Sequence, residues 1–250
     1  MEKKIFSRPE SLKDVPTHYC PGCHHGIIHR LVAESIDELG IRGRAVGVGS
    51  IGCSVLLYEY LNLDVVSALH GRAPAVATGI KRSCPDRAVF TYQGDGDLAA
   101  IGTAEIVHAA ARGENISVIF VNNAIYGMTG GQMAPTTLDG QVTQTTPFGR
   151  DHLRAGNPIR VSELLAVLDG PAYIARVSVH APKHLNDAKK AIRKSFEMQL
   201  AGKGFSLVEV LSTCPTNWGM SPTASSEWLA SAMIAHYPLG VMKNVAQGEA

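Results

Sequence analysis

The sequence predicts an α/β fold, a parallel sheet with helices on both faces. Short segments of nearly continuous apolar character alternate along the chain with segments in which apolar residues recur at helical spacing. Strands that are buried on both faces lack the apolar–polar alternation of half-exposed strands. The repeated order of strand, helix and strand requires crossover connections, which place helices over both faces of a parallel sheet.

The first half of the chain supplies three strands and two helices. Apolar residues at helical spacing predict a helix over residues 24–39, which ends at a glycine. Residues 45–49, 64–69 and 88–93 are short apolar segments and are predicted as strands. Small residues predict a helix over 73–82, between the second and third strands.

The second half continues the alternation after an interruption. The predicted helices cover residues 99–111, 162–168, 183–200 and 225–235. The predicted strands cover residues 116–121, 172–179 and 205–211. Residues 127–160 break the pattern, because Gly, Thr, Gln and Pro dominate them. A connection of this length without periodicity is usually functional or disordered, and we expect it to form part of a partner interface.

Composition excludes two classes of protein. The 250 residues include 23 Lys and Arg against 22 Asp and Glu, so the formal charge of +1 disfavours a nucleic-acid-binding protein. No uninterrupted apolar run reaches the roughly 18 residues of a membrane span. We expect one domain over residues 1–220, followed over 221–250 by a C-terminal helix and tail that associate with a partner.

Two polar turns follow neighbouring strands of the predicted sheet. Gly94–Asp97, with the sequence Gly-Asp-Gly-Asp, ends one strand, and Asn122 and Asn123 end the next. Because the carboxyl ends of parallel strands meet at one edge, Asp95 and Asn123 are expected side by side. The glycines and the following helix N-terminus suit a phosphate, and a carboxylate beside it requires a bridging cation such as Mg²⁺. The alternative is a plain turn beside a strand-ending loop.

The cysteines indicate metal or redox chemistry. Their number, five, is odd, which argues against a disulfide framework in an apparently intracellular chain. Cys20 and Cys23 form a Cys-x-x-Cys motif that alone suits a redox site, a zinc knuckle or half of an iron–sulfur site. Cys53 and Cys214 each follow a predicted strand and are expected at the same sheet edge as the polar turns. Cys84 ends a helix away from that edge and is interpreted as a bystander.

Together these motifs resemble those of the thiamine-diphosphate-binding subunit of the 2-oxoacid:ferredoxin oxidoreductases. They occur in the order of that family from about residue 17 to residue 217. The matching segments are Cys20-Pro21-Gly22-Cys23, Gly52-Cys53-Ser54, His70-Gly71-Arg72, Gly94-Asp95-Gly96-Asp97, Asn122–Gln132 and Cys214-Pro215.

The resemblance implies three cofactors: thiamine diphosphate, Mg²⁺ and a 4Fe–4S cluster. It implies that Asp95, Asn123 and the backbone carbonyl of Ile125 bind Mg²⁺. The implied cluster ligands are Cys20, Cys23, Cys53 and Cys214. The residues expected to bind cofactors are Ile51, Gly52, Cys53, Ser54, His70, Gly94, Asp95, Gly96, Asp97, Asn123, Ile125, Gly127 and Met128. His70 lies between a strand and a helix N-terminus and is the candidate catalytic residue, whereas His24, His25 and His29 are interpreted as a solvated helix face.

The resemblance also implies a function. The expected enzyme oxidatively decarboxylates a 2-oxoacid to acyl-CoA and CO₂. It passes the electrons through the cluster to ferredoxin. It is expected in the cytoplasm and in anaerobic metabolism. We find no pyrimidine-side domain, outgoing electron relay or coenzyme A site, and therefore expect a hetero-oligomer with a pyrimidine-side, a gamma and a ferredoxin-like subunit. Met128 replaces the Asn of pyruvate-using relatives, and Ser54–Leu57 lacks the basic residue of some dicarboxylate-using relatives. Both differences favour a branched-chain 2-oxoacid.

Two other functions remain open from the sequence. A non-oxidative thiamine diphosphate decarboxylase or synthase would share Asp95 and Asn123 but would not need four placed cysteines. A non-catalytic, zinc-bearing assembly subunit would need the cysteines but not the magnesium turns.

Overall fold

A single sheet forms the centre of the structure, a computed structural model that describes residues 7–245. Its strands are β1 (Ala45–Gly49), β2 (Asp64–Ser67), β3 (Ala88–Gly94), β4 (Ser117–Asn122), β5 (Pro171–Ser178), β6 (Phe205–Leu211) and β7 (Gly240–Asn244). They lie in the order β2-β1-β3-β4-β6-β5-β7, and every neighbouring pair is parallel except β5 and β7. The predicted α/β fold is confirmed. Residues 1–6, the start of the predicted domain 1–220, and residues 246–250, the end of the predicted C-terminal helix and tail, lie outside the described residues.

One long helix precedes the first strand, and the others lie in the connections between strands and in the C-terminal region. The helices are α1 (His25–Glu38), α2 (Leu57–Tyr60), α3 (Ala73–Ser83), α4 (Thr103–Ala111), α5 (His152–Ala155), α6 (Val161–Ala166), α7 (Pro182–Leu200), α8 (Pro215–Trp218), α9 (Pro222–Trp228) and α10 (Ile234–His236). A π-helical turn at Asp97–Ile101 precedes α4, so the helix predicted over 99–111 begins irregularly. None of the described helices is both long and apolar enough to cross a membrane.

The core consists of two apolar layers, one on each face of the sheet. Successive side chains of a strand point to opposite faces, so Phe90 packs with α1 and α7 while Val89 packs with α3, α4 and α6. Phe90 meets Phe196 of α7 edge-to-face at 5.6 Å between ring centroids. Both faces are therefore covered, which explains why the strands read as continuous apolar runs.

The C-terminal region adds an unpredicted strand and covers part of the carboxyl edge of the sheet. β7 pairs antiparallel with β5 as an edge strand, and its residues are partly or fully exposed. Leu229, Met233 and Tyr237 form a small buried cluster with Ala124 and Leu211. Ala124 follows β4, and Leu211 is the last residue of β6. This region therefore packs directly behind one of the predicted magnesium turns.

A buried ion pair links three neighbouring strands. Arg176 of β5 is fully buried, and its Nε donates a hydrogen bond to Glu209 of β6 at 2.8 Å. Glu209 is also buried and accepts from Asn122 at the end of β4 at 2.7 Å and from Ser162 at 2.5 Å. Arg176 makes a second, bidentate pair with the partly exposed Glu163. Because Glu209 holds Asn122, this network reaches from the sheet interior to the turn after β4.

Replacing Glu209 should destabilise the fold, because Arg176 would keep a buried charge that only Glu163 compensates. We expect Glu209→Gln to lower the free energy of unfolding by about 3 kcal/mol, since breaking a buried ion pair costs roughly 3–5 kcal/mol. The matched control, Glu163→Gln, removes the partly exposed partner and should cost about 1 kcal/mol. Urea denaturation followed by circular dichroism measures both, and equal stability of the two variants would contradict this account.

Candidate cofactor site at the carboxyl edge of the sheet

The predicted site residues lie at the carboxyl edge of the sheet because the strands before them run in one direction. Gly94 at the end of β3 pairs with Val121 of β4, and Asn122 of β4 pairs with Leu211 of β6. The turns after these strands therefore start at the same level. The turn after β1 carries Cys53, and the turn after β6 carries Cys214.

The two turns predicted to bind Mg²⁺, those after β3 and β4, touch each other. Asp95 is buried, and its Oδ1 accepts a hydrogen bond from the backbone N–H of Gly96 at 2.8 Å. Burial raises the pKa of Asp95 to about 6, and the hydrogen bonds from Thr136 and from the backbone N–H of Gly96, together with the nearby backbone N–H groups of Ala124 and Ile125, oppose that rise. The carboxylate of one turn thus faces the backbone of the other turn, as the spacing predicts.

The turn after β4 has a backbone shape that side-chain hydrogen bonds stabilise. Ala124 has φ +57°, in the left-handed region that a residue with a Cβ rarely adopts. Asn122 Oδ1 accepts from Ala124 N at 3.1 Å, and Asn123 Oδ1 accepts from Ile125 N at 3.3 Å. Asn122 also donates to Glu209, so the ion-pair network fixes the orientation of its amide. The geometry of this turn therefore depends on groups inside the sheet.

Gly96 meets a steric requirement of the site. A Cβ at this position would lie 2.2 Å from the ring of Tyr126. A side chain there would push apart the turns after β3 and β4 or displace the ring. The Gly-Asp-Gly sequence thus allows a close approach of these two turns.

Asp97 and Asp95 have different surroundings although they are two residues apart. Asp97 accepts hydrogen bonds from the Ser50 hydroxyl at 2.8 Å, the Gly71 N–H at 2.7 Å and the Gln93 amide at 2.6 Å. His70 Nδ1 lies 2.5 Å from the same carboxylate. A carboxylate can only accept, so Nδ1 carries a proton and Nε2 is the nitrogen that can exchange one. Asp97 therefore joins the turns after β1, β2 and β3 and orients His70.

Four of the five cysteines approach one another beside the turns after β3 and β4, which are predicted to bind Mg²⁺. A Cβ at Gly127 would lie 3.2 Å from Cys53 Sγ, 3.6 Å from Cys214 Sγ and 3.8 Å from the Asn123 amide nitrogen. Burial, and to a smaller extent the neighbouring thiols, raise the pKa of Cys23 to about 12 and that of Cys53 to about 11. Cys20 is close enough to contribute to both pKa values.

The Cys-x-x-Cys turn is tied to the segment before Cys214. The Thr213 hydroxyl donates to the carbonyl of Gly22 at 2.6 Å. Cys84, in contrast, is exposed at the C-terminal end of α3, whose other end lies at the site. The structure thus places four thiols together and the fifth apart.

One cavity of about 130 Å³ brings together the residues predicted to bind thiamine diphosphate and Mg²⁺, together with Cys53. These residues are Ile51, Gly52, Cys53, Ser54, His70, Gly94, Asp95, Gly96, Asp97, Asn123, Ile125, Gly127 and Met128. The other predicted cluster ligands, Cys20, Cys23 and Cys214, do not line the cavity. Its wall also includes His25, Tyr126 and Thr129, which the sequence analysis did not select. A larger groove of about 1010 Å³ runs along α7 and β5 but contains none of the predicted residues.

The interpretation of His24, His25 and His29 as a solvated face is wrong. All three are buried, with exposed fractions of 6%, 2% and 1%. Burial lowers the pKa of His25 to about 3, so its ring is neutral, and its Nδ1 lies 2.7 Å from the hydroxyl of the buried Tyr92. Imidazole rings with a partner can be buried on an apolar helix face, and the residue type alone does not reveal that partner.

Comparison with known proteins shows the family of the chain. Residues 50–210 match the family model "Thiamine pyrophosphate enzyme, C-terminal TPP binding domain", and thiamine pyrophosphate is thiamine diphosphate. The chain is 49% identical to the ketoisovalerate oxidoreductase subunit VorA of Methanothermobacter thermautotrophicus, over 96% of this chain and 52% of that protein. It is 38% identical to the 2-oxoglutarate synthase subunit KorB of Archaeoglobus fulgidus, over 83% of this chain and 73% of that protein.

A solved structure also shares the fold. It is the 2-oxoglutarate:ferredoxin oxidoreductase from Magnetococcus marinus, which contains 2-oxoglutarate, coenzyme A and succinyl-CoA. The TM-score is 0.77 at 28% sequence identity, over 96% of this chain and 86% of that chain.

The relatives differ in length. The chain spans about half the length of its two VorA relatives, 52% in each, and most of the length of the KorB relative. The family match covers the turns that carry Cys53, His70, Asp95 and Asn123. By sequence, fold and site geometry, the chain belongs to the family of thiamine-pyrophosphate-binding subunits of 2-oxoacid:ferredoxin oxidoreductases.

Proposed function

We propose that the chain is a subunit of an enzyme that oxidatively decarboxylates a 2-oxoacid. In this reaction a 2-oxoacid, coenzyme A and two oxidised ferredoxins give acyl-CoA, CO₂, a proton and two reduced ferredoxins. When bound, thiamine diphosphate supplies the decarboxylation chemistry and a 4Fe–4S cluster the one-electron transfer. The observation that carries the proposal is the convergence on Gly127 of two cysteine sulfurs and the amide of a predicted magnesium ligand.

The proposed magnesium ligands fit the chemistry of that ion. Asp95 supplies a carboxylate, and Asn123 and Ile125 supply an amide oxygen and a backbone carbonyl from the facing turn. These are hard oxygen donors from a single carboxylate and two neutral groups, which leaves positions for phosphate oxygens and water. Gly94 and Gly96 would let the diphosphate approach the backbone in front of the helix that follows.

His70 is the group proposed to move a proton. Asp97 holds Nδ1, and the ring lines the cavity while 32% of its side chain is exposed. A carboxylate that holds Nδ1 in this way fixes which nitrogen of the imidazole reacts. We therefore assign Nε2 of His70 as the acid or base at this wall of the site.

The thiol arrangement distinguishes this proposal from its alternatives. Cys20, Cys23, Cys53 and Cys214 would hold the cluster, because they are the cysteines that approach one another. A non-catalytic, zinc-bearing subunit would give no role to the oxygen donors of Asp95 and Asn123 beside the thiols. A non-oxidative decarboxylase would give no role to four thiols beside the magnesium turns.

The cavity wall favours an apolar 2-oxoacid. Ile51 and Met128 line the cavity and are 38% and 51% exposed, so they would contact a substrate. No Lys or Arg is among the described residues that line it, so this wall supplies no cation for a second carboxylate. The identity of 49% to a ketoisovalerate oxidoreductase subunit, against 38% to a 2-oxoglutarate synthase subunit, supports the same branched-chain preference.

Partners would complete the site. A cavity of about 130 Å³ is smaller than the roughly 300–1,000 Å³ of a ligand pocket, so this chain forms one wall of it. Residues 127–160 expose Val142, Phe148 and Leu153, which suit burial against another subunit. We propose a pyrimidine-side, a gamma and a ferredoxin-like subunit as partners, with residues 221–250 as a further partner contact. The proposed location is the cytoplasm, because oxidising compartments convert free thiols to disulfides.

The proposed cluster ligands should be separable from the fifth cysteine. Single serine substitutions at Cys20, Cys23, Cys53 and Cys214 should each lower the iron content and bleach the visible absorption, because each removes one of four thiolates. Cys84→Ser is the matched control and should keep both. Iron is measured on anaerobically purified protein. A requirement for Cys84, or full iron content without Cys214, would contradict the assignment.

The substrate preference should depend on Met128. We expect the assembled complex to reduce a viologen dye with a kcat/KM at least about tenfold higher for 2-oxoisovalerate than for 2-oxoglutarate. Met128→Lys should shift this ratio towards 2-oxoglutarate by placing a cation near its second carboxylate. Val167→Lys, which changes an exposed residue outside the cavity, should leave the ratio unchanged.

The proposed proton transfer should depend on His70. In the same viologen assay, His70→Gln should lower kcat by roughly 10²-fold or more, as expected for the loss of an acid–base group.

Three results would contradict the proposal. If Met128→Lys and Val167→Lys have the same ratio of kcat/KM for 2-oxoisovalerate to kcat/KM for 2-oxoglutarate, the cavity wall does not select the substrate. Full kcat in His70→Gln would remove the assigned proton transfer. Turnover by the lone chain at the rate of the complex would overturn its assignment as a subunit.

A further inference from the structure

The long segment between β4 and α6 reaches both magnesium turns through two adjacent threonines. The Thr136 hydroxyl donates to Asp95 Oδ2 at 2.6 Å. The Thr137 hydroxyl donates to the carbonyl of Ala124 at 2.7 Å, in the turn between Asn123 and Ile125. Both threonines are fully buried. A two-residue segment therefore contacts the carboxylate of one turn and the backbone of the other.

This segment is fixed from behind by a buried arginine. Arg150 is 5% exposed and its guanidinium makes no ion pair within the described residues; it donates instead to backbone carbonyls. The acceptors are the carbonyls of Ala134, Pro135, Thr137, Ala155, Gly156 and Asn157, at 2.6–3.3 Å. Because six carbonyls share one cation, the segment has little freedom to move away from the magnesium turns.

A tyrosine from the C-terminal region adds a second constraint. The hydroxyl of the buried Tyr237 donates to the carbonyl of Thr136 at 2.7 Å. This bond holds the backbone of Thr136, whereas the bond to Asp95 holds its side chain. The residue that touches the carboxylate is therefore held by its backbone as well as by its side chain.

A hydrogen-bonded carboxylate is held in one orientation before a metal arrives. Thr136 engages Oδ2 of Asp95 while the N–H of Gly96 engages Oδ1, so the plane of the carboxylate is defined. Outer hydrogen bonds of this kind typically change metal affinity by about 10–100-fold when they are removed. The hydroxyl can make this bond without adding a charge to the site.

We infer that Thr136 is a positioning residue that orients Asp95 for Mg²⁺ and the diphosphate. The inference rests on the proposed function, since it takes Asp95 as a magnesium ligand. It gives the segment 127–160 a role within the cofactor site in addition to the proposed partner contact. Thr137, Arg150 and Tyr237 support Thr136, and their effect on Mg²⁺ is indirect.

The test is a titration of Mg²⁺ into the metal-free complex at saturating thiamine diphosphate, followed by calorimetry. We expect Thr136→Val to raise the Kd for Mg²⁺ by about tenfold, because it removes the hydroxyl and keeps the shape. Thr136→Ser restores the hydroxyl and should stay within about twofold of the unchanged protein. The matched control is Thr91→Val in β3, where a buried hydroxyl makes no hydrogen bond within the described part of the chain; its Kd should not change.

The outcomes separate this inference from the proposed function. If Asp95→Ala binds Mg²⁺ and thiamine diphosphate normally, the magnesium site itself is misplaced. If Asp95→Ala loses Mg²⁺ binding but Thr136→Val keeps full affinity for Mg²⁺, the positioning role is overturned. It is also overturned if Thr136→Ser binds Mg²⁺ as weakly as Thr136→Val. If Thr136→Val does not fold, Tyr237→Phe decides. It should weaken Mg²⁺ binding by about two- to fivefold, since the backbone anchor of Thr136 is lost, and unchanged affinity would overturn the inference.

Discussion

The common direction of β1, β2, β3, β4 and β6 is the constraint on which the rest of the site depends. Parallel strands bring the turns after their carboxyl ends to one edge, whatever the distance between them in sequence. Residues as far apart as Cys53 and Cys214 therefore both approach Gly127. A reversal of any one of these strands would move its turn to the other edge of the sheet, and the constellation would lose that residue.

Three buried carboxylates organise this edge, and their surroundings determine different roles. Glu209 lies inside the sheet against Arg176 and fixes the turn after β4 through Asn122. Asp97 accepts from four groups of the chain, which leaves it little capacity for a ligand. Asp95 instead faces a second turn across the cavity. An unpaired buried charge is costly, so a bound cation would stabilise Asp95 more than either of the others.

The sequence could predict the sheet and most of the site because both depend on local patterns. The strands 45–49 and 205–211 and the helix 183–200 agree with β1, β6 and α7 within one residue. β7 could not be predicted, because a short edge strand is stabilised by pairing with β5 rather than by its own apolar pattern. The burial of His25 could not be predicted for a similar reason: its partner, Tyr92, is distant in sequence.

The role of Thr136 lies outside any local pattern. It sits in a segment without periodicity, and its contact with Asp95 spans 41 residues. Only the packing of that segment, through Arg150 and Tyr237, brings the hydroxyl to the carboxylate. The same holds for Glu209, whose spacing along β6 reveals a strand position but not its bond to Asn122. Sequence patterns thus predict the groups that are proposed to face a ligand, whereas the groups that orient them become visible only in the tertiary structure.

The central claim is that a magnesium–diphosphate site and an iron–sulfur cluster lie next to each other at this edge. Mn²⁺ is paramagnetic and occupies oxygen-ligand sites that suit Mg²⁺, so it can report the distance to a reduced cluster. In the complex loaded with thiamine diphosphate, electron paramagnetic resonance should show faster relaxation of the cluster signal with Mn²⁺ than with Mg²⁺, and Asp95→Ala should abolish the difference. A cluster signal that relaxes at the same rate with either ion would contradict the account.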